Sequence, residues 1–133
     1  MGLEGKVKEP EVYSHSPLIF AKVMASAIPQ YSKLITDYYT SLARFDVLRS
    51  SVAVKVFELK NGAAPDDLQA LVPAYLPDIP TDPFNHFAPL KYERKKAGWV
   101  VYSLGPDRQD DHGNTTYEEQ GSDNTGDIVF SSF

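Results

Sequence analysis

The sequence predicts an α+β fold in which one long amphipathic α-helix packs on a small antiparallel β-sheet. Apolar residues recur at helical spacing between residues 30 and 61, short alternating apolar segments follow residue 90, and five prolines within residues 73–89 separate the two regions. The 133 residues, 42% of them apolar, fit a single folded domain. We therefore expect a partly helical N-terminal extension at 1–28 and a domain at 29–133.

The helix is predicted over about residues 30–61. Its apolar positions are three or four residues apart, which places them on one face of an α-helix. They are Leu34, Tyr38, Leu42, Phe45, Leu48, Val52, Val56 and Leu59. Gly62 predicts the end of the helix, because glycine readily adopts the left-handed conformation that terminates many helices. Ser16-Pro17 predicts an earlier helical segment, and Pro29 predicts a kink or a break between the two.

The segments after Gly62 predict a short helix, a rigid connection and a three-stranded sheet. Residues 63–73 carry two aspartates at the start and a proline at the end, as short helices often do. The proline-rich connection 73–89 should be extended and held against the body by apolar anchors. These anchors are Tyr75, Leu76, Ile79, Phe84 and Phe87. A β-hairpin over 90–104 and a third strand at 127–130 complete a sheet over about residues 90–130.

Two different partners are expected for the two halves of the helix. The second half should supply the core, with Phe45, Val52 and Val56 packed on the sheet. The sheet residues expected at that contact are Tyr92, Trp99, Val101 and Phe130. The first half, Tyr31 to Leu42, has two interpretations, packing on residues 17–28 or packing on another protein chain.

The charge distribution excludes nucleic-acid binding as a function. The formal net charge is −5, and residues 107–127 contribute −6 of it, from seven acids and one arginine. Nucleic-acid surfaces need clustered lysine or arginine, and only Arg94-Lys95-Lys96 comes near that composition. The chain has no cysteine, which excludes disulfides and thiolate metal sites, and no apolar run long enough for a membrane span.

The acidic stretch after the second strand of the hairpin has two interpretations. Asp107, Asp110 and Asp111 fall within five positions, and Asp123 and Asp127 follow before the third strand. Carboxylate and carbonyl oxygens in a flexible, glycine-containing loop are what Ca²⁺ requires, although the spacing is not that of an EF-hand. The loop is therefore either a calcium site or an ordinary solvated connection.

His112, beside Asp110 and Asp111, suggests a third possibility, a metal-dependent hydrolase with His112 as ligand or base. Such a centre generally draws ligands from several elements, and the other histidines, His15 and His86, lie in unrelated segments. No serine-histidine-aspartate pattern, phosphate loop or dinucleotide fingerprint occurs. We therefore predict that the chain is not an enzyme and has no catalytic residues.

The order of several short motifs resembles a known family. They are Leu59-Lys60-Asn61-Gly62, Pro65-x-x-Leu68-x-x-Leu71-Val72-Pro73, Tyr75-Leu76-Pro77, Asp82-Pro83-Phe84, Pro89-Leu90-x-Tyr92, Tyr102-Ser103-Leu104-Gly105-Pro106-Asp107 and Gly126-Asp127-Ile128-Val129-Phe130. This set resembles the C-terminal globular domain of the major pseudopilins of type II secretion, which are type IV pilin-like, and related bacterial envelope proteins. The resemblance covers about residues 48–130.

The resemblance implies a long helix on a small antiparallel sheet and a structural Ca²⁺ in the loop before the last strand. Matched position by position, the ligands implied are the carbonyl of Leu104 and the carboxylates of Asp107 and Asp127. The loop between them varies in length in the family, so Asp110, Asp111 and Asp123 are implied less specifically. Residues 1–31 contain neither the prepilin-peptidase site nor the apolar membrane helix of a pseudopilin.

Together these observations predict a non-enzymatic structural or assembly domain of a bacterial secretion or cell-envelope system, on the periplasmic or extracytoplasmic face. Its partners would be other proteins or further copies of itself, bound through the long helix. The alternative is an envelope adaptor or scaffold that binds a partner protein through Tyr31 to Leu42 without forming a filament.

Overall fold

The structure is a computed structural model that describes residues 17–114, 116–117 and 125–132, with side chains from Lys22 onward. The chain divides into two compact units, Met1–Leu34 and Ile35–Phe133. The predicted division at residue 28 stays a prediction. Asp123, one of the predicted calcium ligands, lies outside the described residues. His15 lies outside them as well.

The described elements confirm the α+β class, with one long helix and two small antiparallel sheets. Helix α1 spans Pro17–Asn61 and is followed by a 3-10 helix at Leu68–Leu71. The strands are β1 (Thr81–Asp82), β2 (Ala88–Pro89), β3 (Lys91–Lys95), β4 (Gly98–Ser103) and β5 (Ile128–Ser131). Strands β1 and β2 pair with each other, and β3, β4 and β5 form a three-stranded sheet in that order.

Helix α1 ends where the sequence predicted and begins earlier. Gly62 has a φ of 78°, and its N–H donates to the carbonyl of Glu58 at 2.8 Å, which closes the last turn. The predicted start near Pro29 is wrong, because the helix continues through Pro29 from Pro17. A proline removes one backbone hydrogen bond, and the turns on either side of it remain helical. In the first unit, the side chains of residues 22–34 are exposed apart from a half-buried Ala27.

The hairpin and the third strand are confirmed. Strand β3 pairs with β4 through Tyr92 and Val101, and β4 pairs with β5 through Val101 and Phe130. Five of the six residues of β4 are buried. Val100 and Tyr102 contact Gly113 of the following loop, and alternation along the strand directs Trp99 and Val101 to the opposite face.

The core of the second unit corrects the predicted helix face. Phe45 is 64% exposed, Val52 54% and Val56 36%, and Phe130 is 43% exposed. The helix instead contributes smaller residues to the cluster that buries Trp99 and Val101. These residues are Ala43, Val47, Ala53 and Val54. Because the sheet supplies the large side chains, the helix meets it with small ones, which keeps the interior close-packed.

The connection 73–89 is held against the core by most of its predicted anchors. Leu76 and Phe84 are buried, and Tyr75 and Ile79 pack partly buried against the same cluster. Phe87 departs from the prediction, since it is 58% exposed. The connection also contains the two-stranded pair β1–β2, which brings Asp82 to the end of β4.

Candidate functional site

Asp82 connects the proline-rich connection to the start of the acidic loop. Its carboxylate is fully buried and accepts three hydrogen bonds, from the Phe84 N–H at 2.9 Å, the Ser103 hydroxyl at 2.7 Å and the Leu104 N–H at 2.8 Å. A buried carboxylate is stable only when its oxygens are compensated in this way. Asp82 therefore fixes the direction in which the chain leaves β4.

Asp107 joins the two ends of the acidic loop. Its Oδ1 accepts from the Gln109 N–H at 3.1 Å, and its Oδ2 accepts from the Gly126 N–H at 2.9 Å. Gly105, with a φ of 71°, lies so close to the carbonyl oxygen of Gly126 that a side chain at this position would overlap with it. The loop is thus closed at its base by backbone contact as well as by a carboxylate.

Asp110 and His112 connect the loop to the hairpin. Asp110 Oδ1 accepts from the Tyr102 hydroxyl at 3.1 Å and the His112 N–H at 3.0 Å, and Lys91 Nζ lies 3.7 Å from Oδ2. The His112 ring nitrogen Nδ1 lies 3.0 Å from Glu93 Oε1, which is 2.9 Å from the Tyr102 hydroxyl, so Glu93 and Asp110 share the single proton of that hydroxyl. The carboxylates in this part of the loop are compensated by donors of the protein itself.

These contacts shift the protonation of the cluster. The hydrogen bond to Glu93 and the charges of Asp110 and Glu93 raise the pKa of His112. Burial raises the pKa of Glu93, but hydrogen bonds from His112 and Tyr102 outweigh it, so the pKa of that carboxyl is lowered. The imidazolium and the two carboxylates therefore stabilise one another's charged forms.

Asp127, immediately before β5, is the incompletely compensated carboxylate of the loop. It is fully buried; its Oδ2 accepts from the Gly113 N–H at 2.8 Å, and its Oδ1 has no hydrogen-bond partner among the described residues. Burial raises its pKa to about 6; the N–H groups of Gly113 and Asp111 oppose the rise, and the charges of Asp111 and Asp110 add to it. A buried anion with one free oxygen beside two further acids suits a cation.

The predicted calcium ligands are thus brought together only in part. Asp107 accepts a hydrogen bond from the N–H of Gly126, the residue before Asp127, and the charges of Asp110 and Asp111 raise the pKa of Asp127. Within residues 17–114, 116–117 and 125–132, however, no three histidine, aspartate or glutamate residues are close enough to hold a metal ion. Asp123 is not among these residues, so the calcium site stays a prediction, as does the hydrolase centre on His112.

A second candidate site is the solvent-facing side of α1 in the second unit. Its large apolar residues are exposed, with Tyr38 at 61%, Phe45 at 64% and Leu59 at 75%. Apolar residues on a helix face normally pack against something, and exposed apolar faces of this extent mark interaction surfaces. We call this surface the outer face; its residues are Ile35, Tyr38, Leu42, Phe45, Leu48, Val52, Val56 and Leu59.

A groove of about 630 Å³ runs along the C-terminal half of the outer face. One wall is formed by Phe45, Val52 and Val56, and the other by Tyr75 and Pro77 of the proline-rich connection. Tyr75 is held by an edge-on contact with Phe57 at 5.6 Å and by the Lys60 ammonium at 5.3 Å from its ring. The groove is lined mainly by apolar side chains, together with Arg49 and Lys60.

Sequence reasoning missed two features of these sites. Asp82 belongs to the Asp82-Pro83-Phe84 motif, but the sequence predicted no role for it, because its hydrogen-bond donors Ser103 and Leu104 lie 21 and 22 residues away. The buried side of α1 was also missed, although Ala43, Val47, Ser50 and Val54 are spaced at helical intervals opposite the larger residues. The helical spacing of these small residues is the one sequence signal that could have indicated a second, buried face of the helix.

Comparisons with protein-family models, curated proteins and solved structures found no match to this chain. The likeness to pseudopilins therefore stays a prediction. No helix within the described residues is both long and apolar enough to cross a membrane.

Proposed function

We propose that this chain is a non-enzymatic, pseudopilin-like assembly domain of a bacterial secretion or cell-envelope system that binds another protein helix through the outer face of α1. The observation that carries the proposal is that α1 has two apolar sides, and the side with the larger residues is the exposed one. Leaving the eight large apolar side chains of the outer face in water is unfavourable by roughly 1.5 to 3 kcal/mol for each one that a partner would fully bury. A binding helix removes that cost.

The pseudopilin part of the proposal is supported by the α+β class, by the order of helix, connection and sheet, and by the base of the loop at Leu104 to Asp107. The adaptor alternative uses the same outer face without a filament. Both place the protein on the periplasmic or extracytoplasmic face of the cell.

Site-specific photo-crosslinking in cells that produce the protein naturally tests the outer face. We expect benzoylphenylalanine at Phe45 or Val52 to give one discrete adduct, whose second component mass spectrometry identifies. The same probe at Asp37, an exposed position of α1 outside the outer face, and at Ala97, in the β3–β4 turn, provides the control. Equal labelling at all four positions would contradict the proposal.

The second part of the proposal is that the acidic loop holds a structural Ca²⁺, with Asp127 Oδ1 as its buried ligand. The ion would supply positive charge between carboxylates that otherwise raise one another's pKa. Leu104, Asp107, Asp110, Asp111 and Asp123 are the further candidate ligands. Binding to the folded state alone adds about 2.7 kcal/mol of stability when the ion is at a hundredfold excess over its Kd.

Thermal melting with Ca²⁺ and with a chelator tests this site. We expect chelation to lower the Tm of the wild type, and Asp107→Ala to remove most of that difference. Asp78→Ala, an exposed acid outside the loop, should retain the full response. Superimposable wild-type melts in the two buffers would show that the loop needs no ion.

A further inference from the structure

Strands β2 and β3 form one nearly continuous extended segment whose outer edge is covered along its first half. Leu90 alone separates the two strands, and its N–H donates to the carbonyl of Pro80 at 3.0 Å. Pro80 directly precedes β1, which pairs with β2 in the antiparallel direction. In the described part of the chain, no residue before Pro80 pairs with β3. Strand β1 therefore covers β2 and stops short of β3.

The second half of this edge leaves backbone hydrogen-bonding groups uncovered. N–H groups alternate in direction along a strand, so those of Tyr92 and Arg94 point to the same side as that of Leu90, away from β4. Glu93, between them, faces Val100 of β4. Within the described ranges, the backbone groups of Tyr92 and Arg94 have no partner on the outer side. An edge of this kind is a template for a further strand.

A groove of about 290 Å³ lies beside this edge. Part of its lining is apolar, and part is formed by two exposed acids. The lining includes Leu68, Ile79, Leu90 and Tyr92, with Asp66 and Asp67. Among the described residues that line it, none is a lysine, an arginine or a histidine. We call this surface, together with the outer side of β3, the edge groove.

The edge groove carries a net negative charge. Asp66 pairs with Arg94, whose Nη1 lies 2.6 Å from the Asp66 Oδ1. Asp67, among the described residues, accepts only from the backbone N–H of Ala70, at 3.1 Å. A long basic side chain is complementary to this surface, because its apolar stem packs on the ring of Tyr92 while its charged head reaches Asp67.

We propose that the edge groove binds an extended segment of another protein, which adds to β3 as an antiparallel strand and places a lysine or arginine side chain opposite Tyr92. Its direction is that of β1, which already pairs on the same edge. The backbone supplies affinity and the basic side chain supplies specificity. Lys91 and Lys95 on β3 disfavour indiscriminate strand pairing. The edge groove shares no residue with the outer face of α1, so this inference goes beyond the proposed function.

A short peptide tests strand addition. The probe is a nine-residue peptide of alternating valine and threonine with arginine at its centre, labelled with fluorescein at its N-terminus. Fluorescence anisotropy with the purified full chain should show saturable binding, and at least tenfold weaker binding when glutamate replaces the arginine. N-methylation of the arginine should cause a similar loss, because it removes the hydrogen bond to the Tyr92 carbonyl. Absence of binding, or equal Kd values for the methylated and unmethylated peptides, would overturn the inference.

Amide hydrogen exchange locates the bound peptide. With the arginine peptide at saturation, we expect the N–H groups of Tyr92 and Arg94 to exchange at least tenfold more slowly. The N–H of Glu93, which faces β4, should change little. Unchanged exchange at Tyr92 and Arg94 would place the peptide elsewhere on the protein and contradict strand addition.

Two substitutions separate the strand edge from the charge of the groove. Arg94→Pro removes an outward N–H, which edge strands tolerate. It should bind the arginine peptide at least tenfold more weakly than Arg94→Ala, which also removes the ion pair with Asp66 but keeps the N–H. Asp66→Lys should prefer the glutamate peptide to the arginine peptide, and this reversal tests the groove even if Arg94→Pro does not fold, as judged by circular dichroism. An unchanged preference in Asp66→Lys would exclude the edge groove as the binding site.

Discussion

Two buried aspartates of this chain differ in how their carboxylates are compensated. Asp82 accepts hydrogen bonds on both oxygens, from three donors, whereas Asp127 accepts on Oδ2 and leaves Oδ1 without a hydrogen bond among the described residues. Compensated carboxylates stabilise a fold, and uncompensated ones raise its free energy unless protonated or bound to a cation. We therefore assign Asp82 a structural role, and Asp127 is the buried ligand of the calcium site proposed above.

Asp82→Asn should destabilise the second unit by about 3 kcal/mol, because an amide nitrogen would face either the Leu104 N–H or the donors at the other oxygen. Urea unfolding monitored by Trp99 fluorescence measures the change. Asp66→Asn is the matched control, since the Asp66 side chain is 93% exposed and its surface ion pair with Arg94 contributes at most about 1 kcal/mol. Equal losses in the two variants would show that the buried carboxylate is not the anchor.

The stability of the chelated protein should increase as the pH falls from about 7 to 4. The pKa of Asp127 is raised from 3.8 to about 6 in the folded state, so over this range the folded protein binds a proton that the unfolded chain does not. The full effect is on the order of 2 to 3 kcal/mol, and above pH 7 the cost of the buried anion is complete.

Asp127→Asn should remove this part of the pH profile while Asp78→Asn retains it, as urea unfolding at several pH values would reveal. The difference between the profiles isolates Asp127, since the pKa of His112 is raised as well. A profile for Asp127→Asn that matches the wild type would exclude this carboxylate as the titrating group.

At the scale of elements, the loop between β4 and β5 depends on backbone contact that side chains would prevent. Gly105 and Gly126 lie against each other at its base, and Gly113 lies against Val100 and Tyr102 of β4. These contacts place the loop over one face of β4, opposite the face that carries Trp99 and Val101. The loop is therefore part of the packing of the sheet and does not only connect two strands.

Gly105→Ala and Gly62→Ala form a matched pair that tests this packing. Both glycines have a positive φ, of 71° and 78°, but the added methyl group meets the Gly126 carbonyl in the first case and nothing within 4 Å in the second. We expect a loss of about 1 to 2 kcal/mol for Gly62→Ala from the backbone conformation alone and about 3 kcal/mol or more for Gly105→Ala. Equal losses in chemical denaturation would argue against the close approach.

At the scale of the whole molecule, the second unit is stabilised by a core that uses only one side of its helix. The outer face remains available, so folding and assembly are expected to be thermodynamically linked. A partner that binds only the folded chain increases its apparent stability in proportion to the logarithm of concentration.

Self-association through the outer face predicts that the Tm of the wild type rises with protein concentration, by a few degrees for each tenfold step if unfolding and dissociation occur together. Differential scanning calorimetry from micromolar to millimolar concentration measures this dependence. Val52→Lys should melt at a Tm independent of concentration, while Ala97→Lys should follow the wild type. A wild-type Tm that is constant over the range would exclude self-association through the outer face.

The parts of the fold that were predicted correctly are those that short stretches of sequence encode. Gly62 ends α1, residues 90–104 contain the hairpin, and residues 128–130 form a strand, because glycine conformation and apolar alternation act over a few residues. The start of α1 was wrong because Pro29 is tolerated in a long helix whose remaining turns are intact. For the candidate site, the sequence predicted the acidic loop but not the role of Asp82, because the hydrogen-bond partners of Asp82 are distant in the chain.

By itself, the sequence determined the α+β fold class, the position of the acidic loop and the helical spacing of the apolar residues, since these depend on composition and on spacing within one element. The tertiary structure decided which side of α1 is buried. Trp99 and Val101 fill the interior from the sheet, so close packing admits Ala43 and Val54 from the helix and leaves Phe45 and Val52 at the surface. That choice depends on volumes contributed by residues more than forty positions apart, and no local pattern contains it.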